Sequence, residues 1–335
     1  MMSKRKRGPL IFALNSTKRF GEKLGADGKV FEKTFQDGEV YVRPDEDIRG
    51  ADVFVLQSLH SFGDGTESLG DKILKLAIFC NAAHHASARR ITAVIPHHGY
   101  ARQDRKTEAR APLSVQSIAD ILQANFVDRL LTMDPHNPAI QSAYRIPSDI
   151  LPPFRPLVEF LAPYMKKYKK VCLLAPDYGA KKERIDPLEE KIMRHFKNKP
   201  PFELITGVTD KARKSGTAIK SHGIIVFGDI KGSLVVIPDD ESSTGSTIKN
   251  ASKYAKDNGA AYVIGTVVHN KLNKESAYSI QEDKTIDLFI VTDTICRPPE
   301  FFKEFPKFKE LSVAPYFKRA IQYIHEDRSI SAKLF

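Results

Sequence analysis

The chain has 335 residues, 41% hydrophobic and 28% charged, with a net charge of +11; that is enough for two domains with sizeable cores, in the composition of a soluble globular protein. No apolar run approaches the roughly 18 residues of a membrane span, no signal-peptide core follows the basic start, and Cys80, Cys172 and Cys296 are too scattered for a disulfide framework or a zinc site, so a cytoplasmic location is expected. Four of the positive charges sit in Lys4-Arg5-Lys6-Arg7, and the rest lack aromatic interleaving or a recognition motif, which disfavours sequence-specific nucleic-acid binding and suits a polyphosphate ligand.

In chain order, residues 10–14 read as a strand and 16–24 as a helix. Phe35-Gln36-Asp37-Gly38-Glu39 carries a turn signal, and 53–56 is a buried strand. A loop over 60–70 leads to a helix over 71–86, with Ile73, Leu76, Ala77 and Cys80 on one face. The strand 91–95 runs into PHHGYARQDRKTEARAP, where Arg102, Arg105, Lys106 and Arg110 crowd into a segment without an apolar face. A charge run of this kind is commonly a solvated loop. Its place after a parallel-type strand is also where α/β proteins hold ligands. Residues 114–124 read as a helix and 129–132 as a strand ending in MDPHNP, where prolines fix the backbone around His136. The pairs His84-His85 and His97-His98 have no spacing partner and read as structural.

Pro147, Pro152, Pro153 and Pro156 mark a domain junction. A second α/β pattern follows: strand 170–175, a tight turn over Pro176-Asp177-Tyr178-Gly179-Ala180, and a helix 181–196 broken early by Pro187. Residues 208–222 are polar, basic and without an apolar face, as a flap or linker would be. Strands at 224–227, 234–237, 262–268 and 288–292 and a helix at 314–325 complete an α/β pattern with mainly parallel sheets.

The stretch LVVIPDDESSTGSTIKNASKYAKDNGA, residues 234–260, organises the second half. Strand, hydroxyl-rich turn and helix in that order present backbone N–H groups at a helix N-terminus, a site for a phosphate. Asp239 and Asp240 cannot bind the same anion and suit hydroxyl donors or a metal ion beside it. Phosphate on one side and carboxylates for a diol on the other describe a sugar phosphate. A solvated turn is the plainer alternative. No Walker A pattern, GxGxxG after a strand or HExxH is present.

FQDGE, RGADVFVLQS, VIPHHGYARQDRK, RAPLS, TMDPHNPAIQ, APDYGAKK, VTDKAR, FGDIKG, DDESSTGST and VTDTI occur in that order. In this the chain resembles the ribose-phosphate pyrophosphokinases from about residue 9 to the end; ARQDRK and the C-terminal block LSVAP…AI..IH…SIS..LF, which follows VTDTI, are specific to that family, while the DD…TGST loop is shared with type I phosphoribosyltransferases. The resemblance implies transfer of the β,γ-diphosphoryl group of ATP to the anomeric hydroxyl of ribose 5-phosphate, with Mg2+, giving AMP and 5-phosphoribosyl 1-diphosphate. It implies two tandem type I phosphoribosyltransferase-like domains, 9–150 and 151–311, with the tail 312–335 packing back on the first. A homo-oligomer is expected, with the active site shared between subunits.

Carried over by position, Arg102, Gln103, Asp104 and His136 hold ATP, with Phe35, Asp37 and Glu39 reaching it from a neighbouring subunit. His136 and Asp177 engage the metal. Asp239, Asp240, Ser243, Thr244, Gly245, Ser246 and Thr247 take ribose 5-phosphate, and Lys211 and Arg213 stabilise the transferred group. Asp47 stands where phosphate-regulated members have serine, with Arg49 retained, and Ala180 replaces a glycine. Two readings stay open beside this one. A non-catalytic regulatory member would lack the catalytic cations, and a phosphoribosyltransferase would not need ARQDRK or the first domain.

Overall fold

The computed structural model describes residues 8–61, 67–106, 108–209, 224–226 and 229–334. These divide between two compact units, one drawn from Met1–Pro152, Asp293–Arg297 and Ser312–Phe335 and the other from Pro153–Thr292 and Pro298–Leu311.

The first unit opens with β1 (Leu10–Ala13), α1 (Lys18–Leu24) and an antiparallel hairpin, β2 (Val30–Thr34) and β3 (Val40–Pro44). Then come β4 (Asp52–Leu56), α2 (Leu69–His85), β5 (Arg90–Ile95), α3 (Ser114–Ala124), β6 (Arg129–Met133) and β7 (Ser148–Leu151). β1, β4, β5, β6 and β7 form one parallel sheet in that order. Continuous apolar runs such as DVFVL are buried along their whole length, as strands covered on both faces require. Ser68 caps α2 with Asp71 in a reciprocal box. His97 and His98 are buried and bonded to Leu59 O and to Gly99 O and Tyr144 Oη, the structural roles expected of them.

The second unit contains α4 (Phe154–Met165), β8 (Lys170–Ala175), α5 (Tyr178–Ala180), α6 (Asp186–His195), β9 (Glu203–Thr209), β10 (Ile224–Val226) and β11 (Leu234–Ser242). It continues with α7 (Ser246–Asp257), β12 (Tyr262–Asn270), α8 (Lys274–Gln281), β13 (Leu288–Thr292), α9 (Pro299–Glu304) and β14 (Phe308–Leu311). The sheet order is β10-β9-β8-β11-β12-β13-β14, parallel except for β10.

The chain then returns to the first unit with α10 (Ala314–His325) and α11 (Ser331–Leu334). Phe317 of α10 meets Phe20 of α1 edge-on at 5.4 Å. The buried Asp293 carboxylate accepts from the Val313 N–H at 2.8 Å and the Ser312 hydroxyl at 2.5 Å, and pairs with Lys23 at 3.0 Å.

Three expectations are corrected. The strand expected at 234–237 runs on to Ser242, so Asp239 and Asp240 stand on the strand and not just past its end. Pairing with β8 ends at Val236, while pairing with β12 continues to Ser242 opposite Asn270. Pro238 therefore sits where one ladder has already stopped, and its missing N–H is tolerated. The helix expected over 181–196 is in two parts, with a π turn at Lys181–Ile185 before α6. Pro187 lies in the first turn of α6, where a proline fits, and does not break it. Of the expected flap, residues 208–209 belong to β9; the rest, with Lys211 and Arg213, lies outside the described residues.

Candidate active site

The site residues of the second unit gather at the C-terminal ends of adjacent parallel strands, where open α/β sheets take ligands. β11 carries Asp239, Asp240 and Glu241 in succession, and Asp177 follows β8 beside it. Asp239 is half-buried, while Asp240 and Glu241 are each only 9% exposed. Consecutive strand residues start out toward opposite faces, yet a carboxylate oxygen of Asp240 and one of Glu241 lie within 4.8 Å of each other.

Cations reach the run from both neighbouring strands. Arg184, after β8, lies 3.9 Å from the Asp240 carboxylate, and Lys271, just past β12, pairs with Glu241 at 3.1 Å. Burial pushes the Asp239 carboxyl up to about 7; the Asp240 charge adds to this, and Arg184 acts against it.

Beyond Ser242 the chain turns through Ser243, Thr244 and Gly245 into α7. Gly245 has φ +75°, and an added Cβ would lie 2.6 Å from Ile280 Cδ1, so glycine is required twice over. The Gly245 N–H donates to Ser242 Oγ at 3.0 Å, and the Thr244 hydroxyl donates to Ser246 Oγ at 3.1 Å. Ser243, Thr244 and Ser246 are exposed, and Thr247 is half-buried. The first turn of α7 offers N–H groups that no carbonyl within that helix can accept. Hydroxyls, N–H groups and the positive end of a helix dipole converge there, as a phosphate needs.

In the first unit, Arg102, Gln103 and Asp104 follow β5, and His136 follows the neighbouring β6. The Asn137 amide donates to the Asp104 carboxylate, and the Ser114 hydroxyl to Gln103 Oε1, which ties both loops to α3. Arg102, Gln103 and His136 are exposed. Phe35, Asp37 and Glu39 form the tip of the β2–β3 hairpin, where the Glu39 N–H donates to Asp37 Oδ1 at 3.2 Å. Phe31, Phe35 and Tyr41 stay exposed along it, with Lys33 over the Phe35 ring at 4.4 Å.

Sequence reasoning missed Arg184, Glu241, Lys271 and Asn137. Glu241 was visible as the third acid of DDE. Lys271 and Asn137 carry no local signal, because strand register and loop packing bring them in.

Comparisons with known proteins identify the family. Residues 10–125 match the family model of the N-terminal domain of ribose phosphate pyrophosphokinase, and 194–335 match the phosphoribosyl synthetase-associated domain. The ribose-phosphate pyrophosphokinase of Hyphomonas neptunium is 35% identical over 303 residues, covering 90% of each chain. That of Caldanaerobacter subterraneus is 35% identical over 339 residues, covering 97% of each. The chain belongs to the ribose-phosphate pyrophosphokinase family. The crystal structure of phosphoribosylpyrophosphate synthetase from Mycobacterium smegmatis superposes with a TM-score of 0.78 at 27% identity, covering 96% of this chain and all of that one. The fold is accordingly that of the family, α/β with two tandem type I phosphoribosyltransferase-like domains and mainly parallel sheets. No helix among the described residues is long and apolar enough to cross a membrane.

Proposed function

We propose that this chain is a ribose-phosphate diphosphokinase, forming 5-phosphoribosyl 1-diphosphate and AMP from ATP and ribose 5-phosphate. The observation that carries the reading is the DDESSTGST segment, with carboxylates fixed on β11 and a hydroxyl and N–H cradle at the start of α7. The 5-phosphate lies in the cradle made by Ser243, Thr244, Gly245, Ser246 and Thr247, and Asp239 and Asp240 accept from the ring hydroxyls. The anomeric oxygen attacks the β-phosphorus of ATP, the bond to the α-phosphate oxygen breaks, and AMP leaves. Such a transfer asks the protein for positioning and charge neutralisation more than covalent help.

Arg102 and Gln103 supply donors for the triphosphate and Asp104 orients the loop through Asn137. Lys211 and Arg213, carried over from the family motif, neutralise the transferred diphosphoryl group.

Mg2+ is the expected metal. Asp177 offers it the hard carboxylate oxygen it prefers, and its Oδ1 is already oriented by the Ala180 N–H at 2.9 Å. His136 offers a nitrogen, which suits Mg2+ less well and suits a hydrogen bond to a phosphate oxygen better. When bound, the ion neutralises phosphate charge. The exposed Phe31–Tyr41–Phe35 face supports a homo-oligomer in which the hairpin serves a neighbouring subunit's ATP site. Three buried free cysteines fit a reducing, cytoplasmic compartment.

AMP formation from ATP that depends on ribose 5-phosphate tests the reading. AMP release without the sugar phosphate, or none with it, rejects it.

A further inference from the structure

The segment after β8 contains a conformation that the activity above does not by itself call for. The Asp186 N–H donates to the carbonyl of Lys181, five residues back, which closes a π turn at Lys181–Ile185. Pro187 supplies a cause. It has no N–H to return to the Glu183 carbonyl, and its ring would crowd that carbonyl in a regular α-helix. A turn one residue wider relieves both faults.

The wider turn also shifts each following side chain by one residue's rotation, about 100° around the axis. Arg184 and Ile185 lie within the turn and Leu188 just after it; Ile185 and Leu188 are fully buried, and Arg184 is 7% exposed. An arginine is rarely so buried without an acidic partner. Here the partner side is the acid run on β11, with Asp240 at 3.9 Å. Isolated π turns are frequent at functional sites.

We propose that Arg184 is a positioning residue for Asp240: the π turn brings its guanidinium to the acid run and fixes the Asp240 carboxylate for the sugar hydroxyls. The inference rests on the reading of Asp239 and Asp240 as the ribose-binding acids. Two adjacent, poorly solvated carboxylates repel each other, and a buried arginine opposite one of them lets that one stay charged and still. The planar, always-charged guanidinium suits the task better than a lysine ammonium. Asp239 shows the same balance, its carboxyl raised by burial and by Asp240 while Arg184 opposes the rise.

The test is a double-mutant cycle on ribose 5-phosphate affinity, measured by calorimetry on the full chain with Arg184→Met, Asp240→Asn and the pair. Arg184→Met weakens binding by about tenfold, and the double variant binds no more than a few-fold worse than Asp240→Asn alone, because the arginine acts through the carboxylate. Arg184→Lys, read in the same way and checked for folding by its Tm, keeps the charge and recovers part of the loss. Additive losses overturn the proposal, since they would mean that Arg184 touches the sugar phosphate directly or acts elsewhere. Unchanged affinity in folded Arg184→Met and Arg184→Lys overturns it as well. A wild-type chain that forms no complex with ribose 5-phosphate rejects the underlying site reading together with the inference.

Discussion

Gly245→Ala is the sharpest single test of the sugar-phosphate loop. At φ +75° an L-residue costs about 1–2 kcal/mol. The new Cβ would also lie 2.6 Å from Cδ1 and 2.9 Å from Cγ1 of Ile280, with Leu272 Cδ2 at 3.9 Å. Overpacking of that kind costs about 1–3 kcal/mol, so the whole perturbation is about 2–5 kcal/mol. If the loop keeps its shape, that energy is lost from stability and the Tm falls. If the loop yields, the cradle opens and ribose 5-phosphate affinity drops by about 30-fold or more. Calorimetry with ribose 5-phosphate and, separately, with an ATP analogue divides the two outcomes, with the analogue little affected. Adding Ile280→Ala removes the clash but not the backbone strain, so it restores part of the affinity and not all of it. A Gly245→Ala chain with wild-type Tm and wild-type affinity would refute the reasoning.

Four further expectations concern the catalytic cations, the acid pair and Asp47. Lys211→Ala or Arg213→Ala lowers kcat by orders of magnitude with little change in KM for ribose 5-phosphate, because their charge is needed as the diphosphoryl group moves; wild-type turnover contradicts this. Asp240→Asn weakens ribose 5-phosphate and spares the ATP analogue in separate titrations, and equal loss for both denies the division between the ligands. Asp239, raised to about 7 by burial, holds its proton in the folded chain and gives it up in the unfolded one over the pH range between its ordinary value of 3.8 and 7. Its contribution to stability is therefore full at low pH and is lost as pH rises through 7, so Asp239→Asn raises the Tm at pH 8 and leaves it nearly unchanged at pH 4. Asp47 accepts from the Arg49 N–H at 3.1 Å, and the Arg49 guanidinium donates to Ser87; a carboxylate there repels a bound phosphate, so activity does not require added phosphate, which a rate series across phosphate concentrations checks.

The sequence is most legible where burial decides the pattern. Runs such as DVFVL and KVCLLA read as buried strands, and they are. It is least legible where prolines have two meanings. Pro152, Pro153 and Pro156 read as a domain junction, and the two units divide between Pro152 and Pro153; the same residues also start α4, which Pro153 caps and in whose first turn Pro156 lies, where no N–H is needed. β14 and α9 are short and built from CRPPEFFKEFPKFKEL, whose apolar residues follow neither period for long. In the site, the acid pair and hydroxyl turn are local features and were visible. Arg184 needs two facts that no local pattern carries, the wider turn at Lys181–Ile185 and the adjacency of β8 and β11.

That the acids stand on a strand and the hydroxyls on a turn has a chemical consequence. A sugar phosphate presents two unlike ends, and the chain answers them with elements of different stiffness. Asp239 and Glu241 are held in ladder register against Val267 and His269 of β12, with Asp240 between them, so their spacing is set by the sheet. The hydroxyl turn has no such ladder; it is shaped by Gly245, by the bond to Ser242 and by the start of α7. A phosphate satisfied by several N–H and O–H donors tolerates small shifts of the turn, whereas the anomeric oxygen must be aligned with the phosphorus to within a fraction of an ångström. In the proposed binding mode the rigid element therefore holds the end of the substrate where the bond forms, and the adaptable one holds the end that only anchors it.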